Sequence, residues 1–429
     1  MLSDSPLRET LDGPPRAARP AACDGGAASA AELRVRRALN ALAPFPERTL
    51  HEVFFRRARR VPYAAAVRWG DSGVLTYGEL AVRALSTAAA LAERGVRPGD
   101  RVSVELPKGP DQAVAVLGVL ALGAAYVPIG AHTPGPRRRA QRAALGAAFA
   151  IRPGSPVLAG RDTPLRPGAV PPAGAAYVVF TAGRGGAPKA VEVAHRAAAH
   201  TIDALVERCA MDDTDVTFCA APLESDLSVF DMFAAWTVGG SVVLPEESAS
   251  AARHAELAER WSVTVLNGVP SVLEGLLAQD RPLHLLRTAL LGRASAPPRL
   301  LASAAARLPH CRLLRLGGAT ETALYATVSA YPGRPDAVPY GVPLRGVACR
   351  VVDALGRDVP DGVAGELWIG GACLAEGYAG DAARTAAAFP PHDGARWHRT
   401  GDLARYLPGG ALEYLGRTAG APAAARRTA

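Results

Sequence analysis

The sequence predicts an α/β protein with a substantial parallel sheet. Three observations carry this. The chain has 429 residues, 49% of them hydrophobic and 21% charged, which is ordinary globular composition and enough length for an extensive core. Apolar β-type runs alternate with helical patterns along most of it. Proline and glycine punctuate the boundaries between them.

Residues 1–45 are rich in Ala, Pro, Gly and Arg and show little periodicity until "AELRVRRALNAL". This reads as a disordered tail or linker ending in a short helix. Alternation begins at "TLHEVFFRRARR". "YGELAVRALSTAAALAERG" reads as a helix and "RVSVEL" as a strand. "QAVAVLGVLALGAAYVPIG", Gln112 to Gly130, is uncharged and about as long as a membrane span. Its interior glycines and its Tyr-Val-Pro ending break such a span. A buried helix over 113–122, turning at Gly123 into a strand over 125–129, fits better. A proline- and glycine-rich loop over 152–174 follows. "YVVFT", "GSVVLP", "VTVLNGVP" and "GELWIGG" then read as strands, and "GAPAAARRTA" as a disordered end. No internal repeat is visible.

The net charge of +8 is scattered, with no basic helix or aromatic-interleaved stripe standing out. Neither nucleic acid nor membrane is expected as a partner. Six dispersed cysteines form no CxxC pair, and nine histidines form no HxxxH-type cluster. Reduced thiols in a cytoplasmic protein are the expected reading. The polar, proline-rich N-terminus carries no signal-peptide pattern.

Of the 48 basic residues only Lys108 and Lys189 are lysines. Lys189 follows a glycine-rich turn in "YVVFTAGRGGAPKAVEVAH", Tyr177 to His195. Glycines let backbone N–H groups form an anion nest, a following helix can add its positive end, and lysine supplies a compact charge for phosphate. This is not a Walker A loop, which needs Gly-Lys followed by Ser or Thr. Taken alone, the segment is either a phosphate cradle or a plain surface turn.

Further segments occur in a telling order: "LTYGEL" (75–80), "GAAYVPI" (123–129), "GGATET" (317–322), "GELWIGGACLAEGY" (365–378) and "HRTGDLARYLPGGALEYLGR" (398–417). Together with the glycine loop they resemble the core motifs of adenylate-forming, AMP-binding enzymes, and among these the amino-acid adenylation domains of nonribosomal peptide synthetases. The resemblance covers about residues 46–417. It implies the large N-terminal subdomain of that fold, with two α/β sheet lobes and a small β-barrel lobe. It also implies a reaction in which an amino acid and ATP give aminoacyl-AMP and pyrophosphate, with Mg²⁺. The aminoacyl group then passes to a phosphopantetheinyl carrier protein.

The resemblance assigns residues as follows. Thr181, Gly183, Gly186 and Lys189 match the phosphate loop, whereas Ala182, Arg184, Gly185 and Ala190 depart from it. Three hydroxyls are missing. Each hydrogen bond to charged phosphate is worth about 1.5–3 kcal/mol, so weaker ATP handling is expected. Thr320 and Glu321 match the Mg²⁺-associated pair; a helix N-terminal acid is the plainer alternative for Glu321. Gly317-Gly318-Ala319 stands where the family has aromatic-Gly-Pro, so an adenine-stacking tyrosine is absent there. Asp402 matches the aspartate that accepts the ribose hydroxyls, with a turn-stabilising role as the alternative. Arg417 matches a ribose or phosphate contact, or is a surface arginine.

The substrate pocket falls, by the same resemblance, on Asp226, Leu227, Phe230, Asn267, Leu290, Gly292, Leu316, Leu324 and Tyr325. Asp226 is expected to pair with the α-ammonium of the substrate, since a buried cation needs a buried anion; a loop cap is the alternative. The remaining lining, with Asn267 as its one amide and no second charge, suits a small, weakly polar side chain. It is similar to cysteine-activating domains of thiazoline-forming siderophore synthetases, except that Gly292-Arg293 stands where Ser-Gly is expected.

The family also carries a C-terminal subdomain with a lysine that contacts the carboxylate and α-phosphate. Residues 418–429 are expected as a disordered end at the hinge. Three readings follow: an adenylating enzyme completed by a C-terminal subdomain in trans, a pseudo-enzyme that binds nucleotide or partners without turnover, and a scaffolding remnant of a synthetase module.

Overall fold

The computed structural model describes residues 27–41, 43–147, 149–159, 166–181, 188–294, 296–331 and 340–418. Two sheets with a largely parallel core, and one antiparallel sheet, organise the chain. A nine-stranded sheet is parallel through Arg312–Gly317, Thr288–Leu291, Val265–Gly268, Val216–Phe218, Ser241–Val243 and Ala65–Trp69. Antiparallel strands close it on both sides. A six-stranded sheet runs Gly377–Tyr378, Lys189–Ala194, Ala175–Thr181, Ala125–Pro128, Arg101–Val104 and Phe149–Ile151. The third, small lobe is antiparallel and built on the long strand Ala395–Tyr406, which pairs with Gly365–Gly371 and Leu412–Arg417.

The run Gln112 to Gly130 forms the helix Pro110–Leu122 and the strand Ala125–Pro128. Gly123 ends the helix at φ +86°, a left-handed value that glycine adopts cheaply. The helix is buried on nearly every side. Its Gly118 lies so close to Ala84 and Thr87 of the helix Tyr77–Glu93 that a Cβ would sit 2.9 Å from the Ala84 carbonyl. Helix Leu227–Val238 is equally buried; its Trp236 donates to the Ala66 carbonyl at 3.1 Å. These helices belong to one continuous core that ties the two large sheets together. No helix among the described residues is long and apolar enough to cross a membrane.

Three features differ from the sequence reading. The short helix Ala30–Asn40 is docked: Arg36 is buried over the Tyr406 ring and pairs with Asp361 at 2.7 Å. A basic helix does exist, Gly135–Ala144, with Arg137, Arg138, Arg139 and Arg142 and no acid. Part of its charge is used internally, because Arg138 and Arg142, with Arg152, converge on the buried Glu105 at 3.9, 3.5 and 3.0 Å. Finally, the segment after the glycine loop is the strand Lys189–Ala194, and the helix His195–Cys209 begins only beyond it. Val191 and Val193 point inward at the spacing of a strand, so no helix end faces Lys189. The described cysteines are all free, and all but Cys311 are buried.

His51 and His195 stack edge to face, 5.2 Å apart, inside the core. Burial pulls their pKa values from 6.5 to about 4 and about 3. Both rings therefore stay neutral in the folded chain while the unfolded chain takes up protons below pH 6.5. Stability falls as pH drops from about 6.5 towards 4. We expect His51→Gln to flatten that slope in denaturant titrations at pH 7 and 5; parallel slopes for both proteins contradict it.

Candidate active site

A cleft of about 1600 Å³ opens where the small lobe meets the two large sheets. Thr181, Lys189, Thr320, Glu321, Asp402 and Arg417 all line it. Thr181 and Lys189 are direct partners across an antiparallel pair, so the strands on either side of the glycine loop end together at the cleft. Gly183 and Gly186 lie outside the described residues.

Glu321 sits in the single turn Thr320–Thr322 and is buried. It is not the end of a helix. Its Oε1 accepts a hydrogen bond from the Tyr378 hydroxyl at 2.8 Å and lies 3.6 Å from Lys189 Nζ. Lys189 also donates to the Tyr378 hydroxyl at 3.3 Å. Burial alone would raise the Glu321 carboxyl; His398, Lys189 and the Tyr378 hydroxyl outweigh it and hold the group below its ordinary value. Burial holds His398 itself below the ordinary histidine value, so Lys189 is the lasting cation beside Glu321 at neutral pH.

Asp402 and Arg417 face each other across the paired strands Ala395–Tyr406 and Leu412–Arg417. Arg417 Nη1 is 2.5 Å from Asp402 Oδ1, and the Tyr340 hydroxyl donates to Oδ2 at 3.4 Å. Burial nonetheless raises the Asp402 carboxyl above its ordinary value. Tyr340 stacks on Tyr414 with ring centroids 5.7 Å apart. An aromatic pair thus lines the cleft although Gly317 does not supply one.

Of the nine pocket residues Leu316 lines this cleft and the other eight do not. Asp226 precedes the helix Leu227–Val238 but makes no capping bond. It is buried; its Oδ1 is bound by Arg293 Nη2, and its Oδ2 has no hydrogen-bond partner among the described residues. Leu227, Phe230, Leu290, Leu316 and Leu324 are buried around it. Asn267 donates to Asp231 Oδ1 at 3.0 Å and to the Leu227 carbonyl at 3.3 Å, and accepts from the Tyr325 hydroxyl at 2.9 Å. Gly292 is needed where it stands, since a Cβ there would meet the Tyr325 ring at 2.6 Å. The expectation of a single charge in the pocket is corrected at Arg293, which adds a cation in front of Asp226. Asp231 stands behind Asn267, and burial pushes its carboxyl up to about 8, so it adds an acid but no charge at neutral pH.

A family model described as "AMP-binding enzyme" matches residues 54–166 and 152–379. The chain belongs to the AMP-binding enzyme family. Pyochelin synthetase PchE of Pseudomonas aeruginosa is 45% identical over 393 residues, covering 86% of this chain and 27% of that protein. Phenyloxazoline synthase MbtB of Mycobacterium tuberculosis is 42% identical over 414 residues, covering 90% of this chain and 29% of that protein. The chain therefore spans under a third of these relatives' length. The solved nonribosomal peptide synthetase FmoA3 superposes with a TM-score of 0.85 at 35% identity, over 91% of this chain and 45% of that one. The N-terminal subdomain of NpsA from Klebsiella oxytoca shares the fold, with a TM-score of 0.78 at 24% identity over 86% of this chain and all of that one. The fold is the large N-terminal subdomain of adenylate-forming enzymes.

For an AMP-binding enzyme, the sequence motifs marked Glu321 and Asp402 together with Lys189 and Arg417, but not the cation on Asp226 or the hydroxyl that joins Lys189 to Glu321. Tyr378 sits inside the quoted "GELWIGGACLAEGY" yet had no role assigned; its hydroxyl is what joins Lys189 to Glu321. His398 opens the quoted "HRTGDLARYLPGGALEYLGR" and also had no role assigned, and Tyr340 reaches the cleft from outside the quoted motifs. Tyr378→Phe removes a donor to a buried carboxylate. We expect it to weaken ATP binding by about 1–2 kcal/mol, roughly 5- to 30-fold in a calorimetric titration. Unchanged affinity contradicts a role for this hydroxyl.

Proposed function

We propose that the chain activates a small α-amino acid, with cysteine the leading candidate, as its aminoacyl-AMP. Loading onto a phosphopantetheinyl carrier protein, in siderophore-type peptide synthesis, then follows. The observation that carries this is the placement of one buried carboxylate, Asp226, directly behind a cleft that holds Lys189, Glu321, Asp402 and Arg417. FmoA3 has been solved with AMPPNP and with α-methyl-L-serine-AMP, which supports a small amino acid and ATP as the reactants.

The chemistry is an in-line displacement. A carboxylate oxygen of the amino acid attacks the α-phosphorus of ATP, and the bond to pyrophosphate breaks. Lys189 places its charge against phosphate, and Asp402 accepts the ribose hydroxyls, with Arg417 exchanging its partner from Asp402 to the nucleotide. Asp226 holds the α-ammonium. Mg²⁺ fits the donor set, because it is commonly held by one or two carboxylates and completed by phosphate oxygens. Glu321 supplies one carboxylate, and the described residues contain no cluster of three His, Cys, Asp or Glu side chains that would hold a metal alone. The ion would neutralise phosphate charge there. Lys108 is not a second cation for the cleft, since its Nζ is bound to the carbonyls of Cys219 and Ala220 at 2.9 and 2.8 Å. The family's C-terminal subdomain, in cis or in trans, supplies that charge in this reading.

The test is ATP–pyrophosphate exchange across a panel of amino acids, with and without a C-terminal subdomain from a relative. We expect cysteine to lead, and Lys189→Ala to cut the exchange at least about tenfold through nucleotide binding, the loss of one charge-assisted contact of about 1.4 kcal/mol. Nucleotide binding without exchange for any amino acid, in either arrangement, contradicts the proposal.

A further inference from the structure

Arg293 follows the strand Thr288–Leu291 on a turn whose backbone has φ +68° at this residue. That is the left-handed region, where glycine is the easy residue and a long side chain carries strain. The backbone therefore does not call for arginine. The side chain faces two ways. Its Nη2 binds Asp226 Oδ1, while the residue also lines the open cleft, where Glu321 is its next acid neighbour. Asp226 is 1% exposed, yet its side of the pocket does not open into the cleft. Of the nine expected pocket residues only Leu316 lines that cleft. The guanidinium stands at the boundary between the two spaces.

We propose that Arg293 is a specificity gate: its guanidinium competes with the α-ammonium of the incoming amino acid for Asp226, and the amino acid is held only once that side chain has swung into the cleft. This rests on the reading of Asp226 as the ammonium-binding carboxylate.

The physical argument is a matter of charge. One buried carboxylate balances one cation. An ammonium placed beside the standing pair leaves an uncompensated positive charge next to a carboxylate that is 1% exposed. Arg293 can leave where the ammonium cannot, because its side chain is 34% exposed on the cleft side while that of Asp226 is 1% exposed. The unpartnered Oδ2 gives Asp226 further acceptor capacity for the three donors of an ammonium. The cost of parting the ion pair is charged against every substrate that needs Asp226. An acid of the same shape that lacks the amine does not bear it. Arg293 therefore narrows the preference for amino acids over their des-amino counterparts, and glycine at this position restores it.

The test uses the full chain and two non-hydrolysable adenylate analogues in calorimetric titration: cysteinyl-sulfamoyl-adenosine and the 3-mercaptopropionyl compound, which lacks only the amine. We expect Arg293→Gly to raise the ratio of the two affinities about tenfold in favour of the amino compound. Asp226→Asn should erase the preference, alone or combined with Arg293→Gly. A lowered denaturation midpoint is expected for Arg293→Gly, because it leaves Asp226 buried without its cation, and Arg293→Lys, which keeps the charge, should fall between in both midpoint and ratio. An unchanged or lowered ratio in Arg293→Gly, with Asp226→Asn still erasing the preference, overturns the gate and leaves the Asp226 reading intact. A preference that survives Asp226→Asn overturns that reading, and the gate with it. Binding of neither analogue to any variant overturns both.

Discussion

A buried carboxylate without a partner is among the costliest groups a protein interior can hold. Three carboxylates at the site, the buried Asp226 and Glu321 and the half-buried Asp402, are each matched with one cation from a different part of the chain. Asp226 takes Arg293, Glu321 takes Lys189, and Asp402 takes Arg417. Each pair bridges separate segments: a helix start with a strand end, a single turn with a hairpin strand, and two facing strands of the small lobe. The pairs hold the lobes' edges at the cleft, and they also set its chemistry. A ligand enters by substituting its own charges and hydroxyls for those partners, so recognition here is an exchange of ion pairs rather than the filling of an open space.

The frame that carries these pairs is stiff. Helices Pro110–Leu122 and Leu227–Val238 are buried almost throughout, and the second begins directly after Asp226. Its other acid, Asp231, is fully buried and linked through Asn267 to Tyr325. This network occupies the amide that the sequence assigned to the substrate. It closes the floor of the pocket with protein groups, and it makes the boundary at Arg293 the movable part.

Much of the fold was legible in the sequence because its signals are local. The glycine at 123 ends one helix and starts one strand wherever the chain is placed. The site was legible as a set of acids and one lysine, because motifs keep their spacing. Arg417 was named with them, but the cation on Asp226 and the hydroxyl on Glu321 were not. Arg293 and Asp226 are 67 residues apart, and Tyr378 and Glu321 are 57 apart. Nothing in a local pattern tells which arginine among many turns towards a given acid. The helix assumed after the glycine loop was a strand for a related reason: Lys189–Ala194 is held by pairing with Ala175–Thr181, a tertiary fact that overrides a local guess.

The central claim is that the cleft works by exchange of charged partners. A crystal structure of the chain with cysteinyl-sulfamoyl-adenosine tests it most directly. The account predicts the α-ammonium on Asp226, Arg293 turned into the cleft, and the ribose on Asp402 with Arg417 displaced. An acyl group bound elsewhere, with Arg293 still on Asp226 and Arg417 still on Asp402, would contradict it.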